Sequence, residues 1–303
     1  MLQLRTAGYK ALDNLRSKGE FPPPFDTIDS LEKVTDMFME RFLDERLNVS
    51  TELGPGYLLP ELIDRAIRTS ESEHMDKKEV SGDEKLRLIS ALDRMNTMTR
   101  IYEHQIGVVS RLIDELSRHS RGPVRVLELA SGSGGLALAL AEYAQKNGMD
   151  IAITASDIVP DVISDGNRRA EELKLPVTFR LMNAFDFNGV ESDGIDIVII
   201  SQSMHHFSPG QLAMMIAQAK ANGARAFTGI DGYRSLLLLG GVPLVASLQG
   251  IGEFTMDGVT SARKFYSEIE LDIIAQIASG SNSRHNVECS WPLTVLTTRF
   301  GTV

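Results

Sequence analysis

The chain has 303 residues, 43% of them hydrophobic, with a formal charge of -10, six histidines and one cysteine. That length accommodates a large core and a smaller addition, and the acidic balance without a basic stripe argues against a nucleic-acid partner. The lone Cys289 excludes an internal disulfide framework and a thiol metal cluster.

No sustained apolar segment with a small-residue cleavage site opens the chain, so no secretory signal is expected and the cytoplasm is the expected location. The first hundred or so residues read as helical. Asp29 and Glu32 are spaced as a helix cap and its reciprocal partner, ahead of Leu31, Val34, Phe38 and Phe42 on one face. A second short helix is predicted from Leu58 to Ile67. Ser70 to Glu84 is polar and charged enough to be a linker or exposed loop. A helical period returns from Leu86 to Leu116, as one long helix or two in line. These helices cover the sheet or a subunit partner, or they bring Arg100, Tyr102 and His104 to a ligand.

Val124 to Leu129 then reads as a buried strand running directly into Ala130-Ser131-Gly132-Ser133-Gly134 and a helix start. Gly132 and Gly134 remove the side chains that would hold a ligand off the backbone. Glu128 is costly to bury unpaired, so it is expected at the strand end near a ligand. Four further strands follow at 151–156, 177–182, 195–200 and 225–230, separated by helical segments, and their ends carry Asp157, Asn183, Gln202 and Asp231. In a doubly wound sheet ligands bind outside the carboxyl ends of the strands, so these residues and Gly132 converge. Ser208-Pro209 supplies a cap and first-turn pair for the helix after the fourth strand. Two strands, Asn286 to Trp291 and Leu293 to Phe300, flank Pro292 so closely that they must pair antiparallel.

Glu128-x-Ala130-x-Gly132-x-Gly134 with Asp157 resembles class I S-adenosylmethionine-dependent methyltransferases, across roughly residues 100 to 300. Ala130 departs from the family at its first glycine. The resemblance implies an α/β, Rossmann-like, seven-stranded doubly wound sheet with a reversed final strand, here with an N-terminal helical addition. Residues 1–80 are expected as the helical region and 81–303 as the methyltransferase domain, with a lid insertion at about 232–266. The implied cofactor is S-adenosylmethionine, met by Glu128, Ala130, Ser131, Gly132, Ser133, Gly134, Asp157, Ile158, Asn183, Ala184, Phe185, Ser201 and Gln202, with Tyr102 from the preceding helix. Asp157 would take the ribose hydroxyls, and Asn183 the adenine amine. A looser resemblance, carried by His205-His206-Phe207 and Asp231-Gly232-Tyr233-Arg234-Ser235, is to bacterial methyltransferases of quinone-like or polyketide phenols.

Gly132-x-Gly134-x-x-Ala137 also fits a dinucleotide fingerprint, with Asp157 20 residues beyond Ala137. Glu128 suits a cationic cofactor better than a pyrophosphate, no Tyr-x-x-x-Lys pair occurs, and a purely parallel dinucleotide sheet lacks the reversed strand. The methyl donor is therefore favoured over an NAD(P)-dependent oxidoreductase. A non-catalytic scaffold need not keep Glu128, Gly132, Gly134 and Asp157 together.

His205 and His206 are the candidate general bases for an oxygen or acidic-carbon acceptor. No metal is expected, because adjacent histidines should point apart and His74, His104, His119 and His285 lack ligand spacing. Ser235 to Gly252 is 18 residues without a charge, interrupted by Gly240, Gly241 and Pro243. It is expected not to span a membrane but to lie over a small, largely apolar acceptor, with Asp231, Tyr233 and Arg234 at its entrance binding a polar end. Core packing is the competing use of this segment, and the lid or the N-terminal helices are the surfaces through which a homodimer would form.

Overall fold

The computed structural model describes residues 2–118, 122–187, 194–280 and 283–301. Strand β1 (Val124–Leu129) is buried at every position but Arg125, as a strand covered on both faces must be. Around it a seven-stranded sheet runs β3-β2-β1-β4-β5-β7-β6, with β2 Ile151–Asp157, β3 Val177–Leu181, β4 Ile197–Ser201, β5 Ala226–Gly232, β6 Ser283–Ser290 and β7 Leu293–Phe300. β1 to β5 pair in parallel, and β7 is inserted antiparallel between β5 and β6. Sheet and reversed strand are those expected; β4 begins two residues later than the apolar run.

Helices cover both faces. On one side α5 (Ile101–Ser117), α6 (Gly135–Asn147) and α7 (Pro160–Leu173) share a core in which Val109, Ile113, Leu140 and Ala170 meet Val124 and Val126. On the other, Leu127 and Leu129 face α8 (Pro209–Ala221) and α11 (Glu268–Ser279), and the same core takes in Leu12 of α1 (Leu2–Ser17) and Phe38 and Phe42 of α2 (Ile28–Leu53). The N-terminal helices thus pack directly onto the sheet layer. α2 is capped two residues earlier than Asp29: Thr27 and Ser30 form the capping box, because extended backbone at Thr27 (φ -138, ψ 158) lets its hydroxyl accept from Ser30 N. α8 starts at the Ser208–Pro209 pair, whose hydroxyl accepts from Gln211 N.

The stretch from Leu86 to Leu116 is two helices, α4 (Gly82–Met98) and α5, broken where Arg100 adopts a left-handed φ of 59. After β5 the charge-free run folds as α9 (Leu236–Ser247), followed by α10 (Gly252–Lys264). This hairpin packs on α4 through Leu88, Ala91, Ala246, Ile251 and Phe254. No described helix is long and apolar enough to cross a membrane.

A buried ionic cluster joins the N-terminal helices to the base of that hairpin. Asp64 of α3 (Pro55–Ile67) meets Arg46 at 2.7 Å, Arg68 at 2.9 Å and Arg234 at 2.7 Å, and Arg68 also reaches Glu270 at 2.6 Å. Arg46 pairs with Glu61 at 2.7 Å. Burial opposes the charge on Asp64 and Glu270, but the surrounding guanidiniums outweigh it, holding Asp64 far below the carboxylate range and Glu270 down at about 2. With folded values depressed, this stabilisation is complete above pH 4.5 and is lost as the pH falls towards 2. Arg234→Ala strips Asp64 of a partner and is expected to cost about 3–5 kcal/mol in urea unfolding. It should also move the acid transition to higher pH. An unchanged midpoint and acid limb would show the cluster to be energetically idle.

Candidate active site

The turn after β1 is built on left-handed backbone. Ala130 has φ 47, Gly132 φ 52 and Gly134 φ 67, so the resembling family's preference for glycine at the first of these is a conformational one that Ala130 meets at some strain. A Cβ on Gly134 would lie 2.2 Å from the Phe179 ring, whereas nothing lies within 4 Å of one on Gly132, which leaves that backbone open to a ligand. Asp157, the last residue of β2, accepts from Gly132 N at 2.9 Å and from Val159 N at 3.0 Å. Burial pushes its carboxyl up from the usual value despite these bonds. Beside it Ile158 is 69% exposed, an apolar surface suited to a flat ring.

Glu128 is fully enclosed. Burial, with Asp157 and Asp93 adding repulsion, raises its carboxyl to about 8 against one backbone hydrogen bond from Ala137. Its Oε2 and the Ser131 hydroxyl are buried with no hydrogen-bond partner. Two orphaned polar atoms beside an open glycine backbone offer a place to a polar ligand. A cationic amino-acid moiety satisfies both, so these residues fit S-adenosylmethionine.

Tyr102 stands against the same turn. Its hydroxyl donates to Asp93, which also accepts from Ser133 Oγ at 2.9 Å and pairs with Arg169 at 3.1 Å. Asp93 thus fastens α4 and α5 to the glycine turn. It escaped sequence reasoning because it reads as an ordinary polar residue of an amphipathic helix. Arg100 and His104 do not join Tyr102: Arg100 pairs with Glu103 in solvent and His104 bonds Ser290. Asn183 is exposed, and its side-chain oxygen accepts from Phe185 N at 3.1 Å. Ala184 and Phe185 follow it at the sheet's edge, and Phe185 packs edge-on against Phe207. Ser201 ends β4, and Gln202 follows with φ 52.

Gln202 opens onto a cavity of about 310 Å³ whose walls come from α4, α9 and α10 through Leu92, Met95, Leu238, Val242, Val245 and Phe254. The charge-free run therefore lines a cavity, with Leu238 inward and Leu237 and Leu244 75% and 68% exposed. One end of the cavity is polar, formed by Glu73, His205, His206, Asp231 and Asp257. Glu73 corrects the reading of Ser70 to Glu84 as a linker or exposed loop: it is 3% exposed, its charge being matched by His205, His206 and Lys264. Asp257 of α10 anchors this crossing by accepting from the His74 and Met75 amides.

The expectation that the two histidines point apart also fails. They sit in a 3-10 turn, Met204–His206, with ring centroids 4.3 Å apart and planes 34° from parallel. His205 is buried, its Nδ1 2.8 Å from Asp231 Oδ2 and its Nε2 3.2 Å from Glu73 Oε1. Burial disfavours its cation, but the two carboxylates outweigh that and raise it to about 10. An imidazolium has no lone pair for a proton, so in this state His205 does not fit the role of base. His206 is the more exposed ring, with Nδ1 2.8 Å from Asp76. His119 lies outside the described residues.

Of the expected acceptor-binding residues, Asp231 is spent on positioning. Its carboxylate accepts from the His205 backbone and ring and from Gly232 N. Arg234 points away from the cavity, donating to Asp64 and to the Arg263 and Phe265 carbonyls. Tyr233 lies against Trp291 at 6.0 Å and borders a separate small cleft with Arg5 and Arg46. Both follow β5 where the chain turns beneath the hairpin, so neither side chain reaches its inner surface.

Residues 126–223 match the methyltransferase domain family. The chain is 29% identical over 90 residues to a release factor glutamine methyltransferase of Bacteroides thetaiotaomicron, covering 30% of this chain and 31% of that protein. It is 35% identical over 85 residues to the ubiquinone/menaquinone biosynthesis C-methyltransferase UbiE of Rickettsia felis, covering 27% and 32%. The matches thus span about a third of these curated relatives. Among solved structures it resembles the plantazolicin methyltransferase BpumL in complex with SAH, with a TM-score of 0.58, 10% identity and coverage of 79% of this chain and 96% of that one. Human N-acetylserotonin methyltransferase in complex with SAM aligns with a TM-score of 0.51 at 16% identity, over 73% and 57%. Strand order, reversed β7 and the match over 126–223 agree: residues 126–223 match the methyltransferase domain family, and the sheet has the fold of these solved methyltransferases.

Proposed function

We propose that the chain transfers a methyl group from S-adenosylmethionine to a small, largely apolar acceptor through a hydroxyl or an acidic carbon. The observation that carries this reading is the adjacency of two sites. The glycine turn offers orphaned polar atoms, and Gln202, one residue beyond β4, opens onto an apolar cavity with one polar end. S-adenosylmethionine bound at the turn supplies a methyl already activated on a sulfonium. What remains for the protein is alignment and exclusion of water. Glu128, Ser131 and the Gly132 backbone hold the amino-acid end, Asp157 takes the ribose hydroxyls, and Ile158, with Asn183, Ala184 and Phe185, borders the ring. Leu238, Val242, Val245 and Phe254 enclose the acceptor. Glu73, His205 and His206 meet its reacting group. A dinucleotide would bring a pyrophosphate towards Glu128, and the negative charge of that pyrophosphate would oppose the carboxyl ionisation that a ligand ammonium favours.

Calorimetry is expected to show one S-adenosylhomocysteine per chain and no saturable NADH binding. Asp157→Ala should weaken the former by about 1.5–3 kcal/mol, the range for a hydrogen bond to a charged group. Because the Glu128 carboxyl is raised to about 8, it must lose a proton to pair with a ligand ammonium. Affinity should therefore rise with pH through that value in the wild type and not in Glu128→Gln. Saturable NADH heat with none from the methyl-donor product would sink the reading.

The cavity has its own test, against a panel of ring hydroxyl compounds with labelled methyl donor. Leu238→Asp, on the inner surface, should raise KM for every accepted compound while leaving cofactor affinity unchanged. Leu244→Asp, 68% exposed, should leave both alone. A lowered melting temperature in Leu238→Asp with no selective KM effect would return the segment to plain core.

A further inference from the structure

His205 and His206 share an arrangement that general-base chemistry does not require. Each has its Nδ1 2.8 Å from a carboxylate, Asp231 for the first and Asp76 for the second. A carboxylate there keeps a proton on Nδ1, so a cation bound at Nε2 would displace only the Nε2 proton, as metal binding to histidine does. Both Nε2 atoms turn to the same side chain, at 3.2 Å and 3.7 Å from the two oxygens of Glu73. Glu73 Oε1 and His205 Nε2 are buried 3.2 Å apart, and beyond that mutual contact neither finds a hydrogen-bond partner. Ligand atoms of the three residues all lie within 4.8 Å of one another.

Charge points the same way. Glu73, Asp76 and Asp231 bring three carboxylates to the two rings, and Lys264 Nζ, 3.7 Å from Glu73 Oε1, supplies one positive charge. Once the imidazoles give up their Nε2 protons two negative charges remain, and a divalent cation would replace the protons displaced. The histidine pair also borders a second cavity, of about 730 Å³, on its other side. That gives an ion a route in and leaves coordination positions open on the acceptor side.

We propose that Glu73, His205 and His206 bind a divalent first-row transition-metal ion. Two imidazoles and one carboxylate, each imidazole held by an outer carboxylate, suit zinc or iron(II) rather than the all-oxygen shells of magnesium or calcium. Its open positions take an oxygen of the acceptor, and a hydroxyl coordinated there gives up its proton to solvent more readily. The histidines then serve as ligands, and the acceptor is an oxygen-donor ring compound such as a phenol or enol. The ion-binding part stands on geometry alone; the acceptor part rests on the methyl-transfer reading above.

The test uses untagged, chelator-stripped protein near neutral pH, titrated with zinc by calorimetry and with cobalt(II) by visible absorption. One ion per chain is expected, at micromolar affinity or tighter, with cobalt d–d bands of a low-symmetry site. Glu73→Gln, nearly isosteric, and His206→Ala, at a half-exposed position, should each weaken binding at least about a hundredfold. Asp76→Asn should weaken it about 10–100-fold, as loss of an outer carboxylate does. Melting curves show whether each variant is folded; should His206→Ala not fold, Glu73→Gln decides. Absence of stoichiometric binding, or binding unchanged in Glu73→Gln, overturns the proposal. S-adenosylhomocysteine titrated into the same samples keeps the two readings apart: its binding without metal removes the ion and leaves the methyl donor, and metal binding without it does the reverse.

Discussion

A carboxylate withdrawn from water must be matched by positive charge, and that requirement organises this molecule. Asp64, Glu61 and Glu270 are at most 1% exposed, and each is met by arginines drawn from α2, from the end of α3 and from the entrance of the helical hairpin. Parts of the chain 170 residues apart are thereby held in register. The effect is one of specificity more than of net stability, because well-packed apolar residues could fill the same volume at similar free energy. What apolar residues would not do is fix where the chain goes after α3. Leaving that cluster, it crosses the mouth of the cavity and sets Glu73 down against the histidines.

The fold was legible because its signals are local. An apolar strand, a glycine turn and a helix start occupy a dozen consecutive residues, and Pro292 leaves so little chain between β6 and β7 that only antiparallel pairing is open to them. The residues proposed to hold the cofactor share that legibility in position, since they lie at strand ends whose order follows from the fold. Asp93 and Glu73 were not legible. Both act through side chains that meet partners tens of residues away, and a burial that depends on such partners leaves no periodic trace in sequence. The polarity of Ser70 to Glu84 suggested solvent for the same reason: composition reports charge but not whether the charge is matched.

Arg234 shows the converse error. Its place just after a strand end suggested ligand contact, yet a guanidinium can equally complete a buried cluster, and Asp64 lies 2.7 Å away. Strand-end position identifies the neighbourhood of a site and not the direction of a side chain. Asp231 illustrates the difference at shorter range. It lies at the end of β5 as expected, but its carboxylate ends at the His205 ring, 2.8 Å away, and orients that imidazole.

The crossing that carries Glu73 is tied to the hairpin and not to the sheet. Asp257 of α10 accepts the His74 and Met75 amides, and Lys264, the last residue of the same helix, lies 3.7 Å from Glu73. The histidines, by contrast, are fixed to the sheet through Asp231 of β5. The polar end of the cavity is therefore assembled from two bodies, one belonging to the helical wall and one to the strand ends beneath it. Glu73 is thus held by α10 on one side, through the His74 and Met75 amides and Lys264, and meets the sheet-anchored imidazoles on the other. The position of the helical wall and the geometry of the polar end are therefore coupled through one buried, matched charge.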